Sequence, residues 1–142
     1  MTALYVDSSA FIKLYILENE AEALLVEQAM DRCEEVASCQ IAHAEVCGAF
    51  GRQFQQRRLD EETYWNTRRA FEGDWQNFDA IPVSLELSSL AADLLKAQTG
   101  LRAMDALHLA SALQLRRRQP LKFLTFDRHL HSVAQALMPE AF

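Results

Sequence analysis

Ala3-Leu-Tyr-Val-Asp7-Ser-Ser-Ala-Phe-Ile-Lys-Leu-Tyr15 opens with four apolar residues and then meets an aspartate without transition. A run that is apolar at every position, rather than at alternate ones, fits a strand buried on both faces, as in a parallel sheet. The acid then falls at the carboxyl end of that strand. Ser8 and Ser9 offer an N-cap for a helix carrying Phe11, Ile12, Tyr15 and Ile16. Strand, polar turn and helix in this order are the first half of a crossover unit.

The rest of the chain repeats the alternation. Glu20 to Arg32 reads as an amphipathic helix with Ala21, Leu24, Leu25, Gln28 and Ala29 on one face. Glu35 to Ser38 is a short strand, Ile41 to Arg57 a helix, and Asp60 opens another helix running toward Phe78. Asp79 to Val83 is a strand containing Pro82, followed by a Leu/Ala-rich helix from Leu85 to Thr99 that Gly100 closes. Ala103 to Arg117 is helical, Leu121 to Phe126 is the best strand in the chain, and Arg128 to Leu137 is a last helix before Pro139. Strands alternating with helices imply right-handed crossovers and a parallel sheet covered on both faces. The expected class is α/β, a three-layer α/β/α fold with a small, four- to five-stranded parallel sheet. Ligands of such sheets bind at the carboxyl ends of the strands.

Length and composition agree. At 142 residues, with four Gly, three Pro and no linker-like stretch, residues 1–142 read as a single domain. A chain of this size buries roughly 68–70% of its unfolded surface without a disulfide scaffold. Cys33, Cys39 and Cys47 are an odd count, which suits a reducing cytoplasm. The opening residues carry no basic n-region, and no apolar run approaches the roughly 18–20 residues of a membrane span, so neither a secretory leader nor a membrane partner is expected. The formal charge of −6 speaks, by itself, against non-specific nucleic-acid binding.

Four acids qualify that inference. Asp7 and Asp127 each follow a strand directly, and Glu45 and Asp105 lie in apolar helical stretches, Ile41-Ala-His-Ala-Glu-Val and Leu101-Arg-Ala-Met-Asp-Ala-Leu-His. Singly, each has a plain alternative: Asp7 and Asp127 as helix caps, Asp105 as a first-turn charge, Glu45 as a solvated helix residue. Together, clustered carboxylates repel one another unless a cation sits among them. Oxygen ligands without organised His or Cys favour Mg²⁺ or Mn²⁺, and the corresponding chemistry is metal-assisted phosphodiester hydrolysis.

Tyr5-Val-Asp7-Ser-Ser9-Ala-Phe-Ile-Lys-Leu-Tyr15, Ala42-His-Ala-Glu45-Val, Leu101-Arg-Ala-Met-Asp105-Ala-Leu-His-Leu-Ala-Ser-Ala-Leu113 and Leu124-Thr-Phe-Asp127-Arg resemble, nearly end to end, the PIN-domain ribonucleases, specifically the VapC-like toxins of type II toxin–antitoxin pairs. The resemblance implies an endoribonuclease with Asp7, Glu45, Asp105 and Asp127 as its catalytic acids. Asp7 and Asp105 would be direct ligands of Mg²⁺ or Mn²⁺. It further implies an RNA substrate, a cognate antitoxin protein and a homodimer. The chain departs from the pattern at Ala136-Leu-Met-Pro-Glu-Ala-Phe142, where a glycine and a closing apolar strand are expected.

Other residues have weaker claims. Ser9 and Thr125 lie two positions from Asp7 and Asp127 and are placed to orient carboxylates or water, and Arg102, in the loop before Asp105, to contact a phosphate. His108 shares a helical face with Asp105, as a metal ligand or, the plainer reading, as a packed, hydrogen-bonded histidine. Cys39, His43 and Cys47 recur every four residues near Cys33 and sketch a zinc site, against the plainer reading of buried cysteines as small hydrophobes. Tyr64, Arg68, Phe71, Trp75 and Phe78 form a helical stripe, read as core or dimer packing or as a groove for an antitoxin helix. Arg52, Arg57 and Arg58, Arg68 and Arg69, and Arg116 to Arg118 are candidate RNA contacts, or solvated helix ends.

Alternatives from other classes are a catalytically silent PIN-like domain that binds RNA or protein, an aspartyl phosphatase, and a receiver domain. The phosphatase requires a second Asp where Ser9 stands. The receiver requires an acidic pair where Asp7 stands alone, and a Lys after a late strand, whereas Lys122 lies inside one. Setting aside the four acids takes the charge from −6 to −2, so the acidic balance is compatible with an RNA partner.

Overall fold

A computed structural model of residues 1–142 places four strands in one parallel sheet, in the order β3-β2-β1-β4. The strands are β1 (Ala3–Val6), β2 (Glu35–Cys39), β3 (Asp79–Ile81) and β4 (Leu121–Leu124). Seven helices surround them: α1 (Ser8–Tyr15), α2 (Glu20–Asp31), α3 (Ile41–Gln55), α4 (Glu61–Trp75), α5 (Leu85–Ala97), α6 (Ala103–Arg116) and α7 (Arg128–Leu137). No helix is long and apolar enough to cross a membrane.

The alternation of β1 divides the core. Leu4 and Val6 face Ala10, Phe11, Val26, Val46, Phe50 and Phe71 of the layer made by α1 to α4. Ala3 and Tyr5 face Leu87, Leu109, Leu115, Leu130 and Val133 of the layer made by α5 to α7. This is the three-layer architecture expected from a strand without a polar face. The chain runs outward from β1 through β2 to β3 and then returns to place β4 on the other side of β1. The topological switch point therefore lies between β1 and β4, and open α/β sheets bind ligands there.

Several boundaries differ from the sequence reading. Asp7, rather than Ser8 or Ser9, caps α1 by accepting the Ala10 N–H. Strand β4 stops at Leu124, because Thr125 leaves the ladder and turns its hydroxyl to Asp7. Strand β3 stops at Ile81, since Pro82 has no N–H to donate. Helix α2 buries Ala23 and Val26 against α1 and leaves Leu24 and Leu25 exposed, the reverse of the expected face. Small residues allow α2 to lie close on α1. The C-terminal departure forms no fifth strand: Pro139–Ala141 is a 3-10 turn whose Ala141 and neighbouring Met138 fill the core beneath α7.

Candidate active site

Asp7 sits at the switch point and is 3% exposed. Its Oδ1 accepts from Ser9 Oγ at 2.7 Å and from the Ala10 N–H at 3.1 Å, and its Oδ2 accepts from Thr125 Oγ1 at 2.6 Å. The two hydroxyls also touch each other at 3.2 Å, and they accept the Phe126 and Asp127 N–H groups respectively. The turn leaving β1 is thereby sewn to the turn leaving β4. Burial pushes the Asp7 carboxyl above its ordinary value, against the opposing pull of its hydrogen bonds from Ser9, Thr125 and Ala10.

Asp105 and Asp127 form a second group. Asp127 caps α7 through Oδ1, which accepts the Leu130 N–H at 2.9 Å. Arg102, at the start of α6, joins the two acids: its Nε lies 3.4 Å from Asp105 Oδ2 and its Nη2 lies 3.8 Å from Asp127 Oδ2. The Arg102 side chain is 79% exposed, so its guanidinium meets the two acids from the solvent side.

Glu45 belongs to a third group that the sequence reading missed. Its Oε1 lies 2.7 Å from His108 Nε2, and His108 Nδ1 lies 2.8 Å from the Tyr5 hydroxyl. His108 is thus the packed, hydrogen-bonded histidine of the plainer reading. One available signal was Tyr5 itself, since a tyrosine in a wholly buried strand has a hydroxyl that must find a partner.

The four acids and Ser9, Thr125 and Arg102 therefore sit in three hydrogen-bonded sets. Thr125 links the Asp7 set to Asp127, and no hydrogen bond joins the Glu45 set to the other two. Neither cap role competes with a site role: Asp7 Oδ1 is filled by Ser9 and Ala10, but Oδ2 takes only Thr125 and keeps a lone pair, and the Asp127 cap uses only Oδ1. The donors suit a hard divalent cation. They are carboxylates supported by hydroxyls and amides, and Asp7, buried beside neutral donors, is the group whose charged form a cation would stabilise.

The other candidates lie elsewhere. Cys39 is buried at the end of β2 and is not grouped with His43 and Cys47; all three cysteines are free. His43 and Cys47 instead meet Glu72 of α4, with ligand atoms within 4.8 Å of one another. The aromatic stripe of α4 is packing: Phe71 is fully buried against Phe11, Tyr15, Phe50 and Trp75. Arg116, Arg117 and Arg118 line a groove with Thr2, Pro120 and Lys122 at the amino-terminal edge of the sheet, opposite the acids.

Fold and site together define a parallel three-layer α/β domain with a buried aspartate, Asp7, at its switch point. The family model for the PIN domain matches residues 4–136, and the chain belongs to that family. Among its relatives are the Mycobacterium tuberculosis proteins named ribonuclease VapC45 (strain CDC 1551 / Oshkosh) and ribonuclease VapC49 (strain ATCC 25618 / H37Rv). Each is 32% identical over 137 residues, covering 96% of this chain and 92% of the relative. Ribonuclease VapC46 of the latter strain is 35% identical over 115 residues, covering 81% of this chain and 78% of the relative. Among solved structures, the sarcin-ricin loop cleaving toxin VapC20 of the same species superposes with a TM-score of 0.66 at 15% identity, over 92% of this chain and 94% of that one. It shares the fold.

Proposed function

We propose that this protein is a divalent-metal-dependent endoribonuclease, the toxin of a toxin–antitoxin pair, in which Asp7, Glu45, Asp105 and Asp127 form the catalytic pocket. The observation that carries the reading is Asp7: a carboxylate buried at the switch point among hydroxyl and amide donors, with no cationic side chain hydrogen-bonded to it. Asp7 and Asp105 would hold Mg²⁺ or Mn²⁺. When bound, such an ion supplies positive charge to a phosphodiester and makes its water more acidic.

The remaining steps fall to the chain. Ser9 and Thr125 fix both Asp7 oxygens, so its orientation is set before substrate arrives. Glu45 presents one oxygen beyond the His108 bond and is placed to accept a proton. Arg102, exposed above two acids, is placed to meet a substrate phosphate and release its hold on Asp105 and Asp127. RNA as substrate, a protein inhibitor and pairing of two copies follow from the likeness to VapC ribonucleases and belong to the same proposal.

Asp7→Asn is expected to lower Mg²⁺-dependent cleavage of an RNA by at least about 100-fold, within the range of a lost electrostatic or metal-binding group, while the circular-dichroism spectrum stays that of the wild type. Full activity of this variant, or activity untouched by EDTA, overturns the reading. One observation favours a second reading, a PIN-like domain that binds RNA without cleaving it: Arg102 already stands beside both Asp105 and Asp127, at 3.4 and 3.8 Å. RNA affinity in the absence of any turnover, at every divalent ion tried, would select it.

A further inference from the structure

We propose that Tyr5 and His108 act as positioning residues for Glu45, through a relay of hydrogen bonds running from the end of β2 to the pocket. The inference rests on the reading of Glu45 as part of the nuclease site.

The relay takes His108 as neutral, and each of its protons then follows from chemistry. The Cys39 N–H donates to the Tyr5 hydroxyl oxygen at 3.0 Å. A carboxylate can only accept, so the 2.7 Å contact with Glu45 Oε1 puts the hydrogen on His108 Nε2. The Nδ1 of the neutral ring then carries a lone pair, and the Tyr5 O–H donates to it across 2.8 Å. Tyr5 and His108 are both buried.

The consequence is one defined tautomer and one defined carboxylate orientation. Glu45 has three rotatable torsions and sits one turn into α3, where His108 is its only side-chain hydrogen-bond partner. Its other oxygen, Oε2, has no hydrogen bond within the chain. Packing alone would not select these residues: the Tyr5 ring stacks on Phe123 at 5.3 Å, a contact that phenylalanine would make equally well. The hydroxyl is what adds direction. Without it, Glu45 still draws the hydrogen to Nε2, but the buried Nδ1 lone pair has no donor and the ring is held by hydrogen bonding at one end only.

A double-mutant cycle separates positioning from structure. Single-turnover RNA cleavage is measured for wild type, Tyr5→Phe, Glu45→Ala and the double variant, at saturating divalent ion and below the melting temperature of each. Tyr5→Phe is expected to slow the chemical step about 10-fold, the lower end for loss of a group that orients a site ligand, with KM unchanged. In the Glu45→Ala background the same change is expected to alter the rate less than about twofold, since nothing remains to be oriented. An equal loss in both backgrounds assigns Tyr5 a merely structural role and overturns the proposal. So does a wild-type rate for either Tyr5→Phe or Glu45→Ala.

A second measurement does not depend on activity. Two-bond proton–nitrogen NMR spectra of histidine-labelled protein should show His108 as the Nε2–H tautomer in wild type, and in Tyr5→Phe the same tautomer with its Nδ1 resonance shifted to that of an acceptor that has lost its hydrogen bond. An Nδ1–H tautomer in the wild type overturns the relay. Absence of cleavage by the wild type with every divalent ion would overturn the nuclease reading, and the NMR spectra would still decide the hydrogen-bond relay on their own.

Discussion

The molecule contains two histidine–glutamate pairs of nearly equal length, and they have different surroundings. His108 Nε2 meets Glu45 at 2.7 Å, and His43 Nε2 meets Glu72 at 2.9 Å. The His108 side chain is 3% exposed and that of His43 is 32% exposed. In the first pair, the far nitrogen of the ring is held by Tyr5 and the far oxygen of the glutamate has no partner in the chain. In the second, the far oxygen of Glu72 is taken by Arg68 at 3.4 Å, and the His43 ring packs on Phe71 and Trp75. The first pair is anchored from behind and open in front; the second is closed. A carboxylate needs an anchored back and an open front to meet a substrate, so hydrogen-bond length alone does not mark a functional pair.

Replacing each histidine by leucine tests that distinction most directly. His108→Leu leaves the Tyr5 hydroxyl and Glu45 without their partners, and cleavage is expected to fall about 10- to 100-fold. Stability should fall by roughly 1–3 kcal/mol, the cost of an unsatisfied buried polar group. His43→Leu should leave cleavage within about twofold and cost less than roughly 1 kcal/mol, as a half-exposed ion pair allows. Kinetic assays and urea unfolding of the two variants, side by side, check both halves. Equal losses of activity would erase the difference between the pairs.

Asp7 extends the comparison to a carboxylate with no histidine bonded to it. Burial raises its pKa in the folded protein above the unfolded value of 3.8. The folded state then holds more protons than the unfolded state between those two values. Stability therefore falls as pH rises through that window and stays at the lower level above it. Asp7→Asn removes the titration while keeping an oxygen to accept the Ala10 N–H. In metal-free solution, the variant is expected to be more stable than wild type at neutral pH, by roughly 1.4 kcal/mol for every tenfold by which burial weakens the acid. The advantage should shrink as the pH is lowered toward 3.8 and, if the site takes a divalent ion, disappear when Mg²⁺ or Mn²⁺ is added. Thermal melts across pH, with and without the ion, measure it; a variant less stable at neutral pH would contradict the sign.

How much of the fold and site is legible in the sequence depends on the range of the interactions. The strand of residues 3–6, the parallel sheet and both strand-end aspartates follow from local apolarity and its abrupt end. So does the packing role of Phe71, whose spacing with Trp75 puts both on one face of α4. The boundaries that moved did so for tertiary reasons: Thr125 left β4 to reach Asp7, 118 positions away. The exposed Leu24 and Leu25 show that periodicity finds a helix without saying which face a neighbour covers. The relay was beyond local reading altogether, because it joins residues 103 and 63 positions apart. Cys39, His43 and Cys47 make a regular pattern in the sequence, yet Cys39 ends a strand and is buried at the sheet.

The smallest expected effect lies in the closed pair and has the opposite pH sign. The His43 hydrogen bond, together with Arg68, holds the Glu72 carboxyl below its ordinary value of 4.5. The stabilisation this represents is fully present above 4.5 and is lost as the pH falls through the lower, folded value. Because Glu72 is substantially exposed, solvent screening keeps the contribution below roughly 0.5 kcal/mol. Glu72→Gln should therefore be slightly less stable than wild type at neutral pH and indistinguishable from it once wild-type Glu72 is protonated. Urea unfolding at the two extremes resolves the difference. For Asp7→Asn the variant gains on the wild type as pH rises, whereas for Glu72→Gln it falls behind. If both variants moved in the same direction, burial would not be what separates an open carboxylate from a closed one.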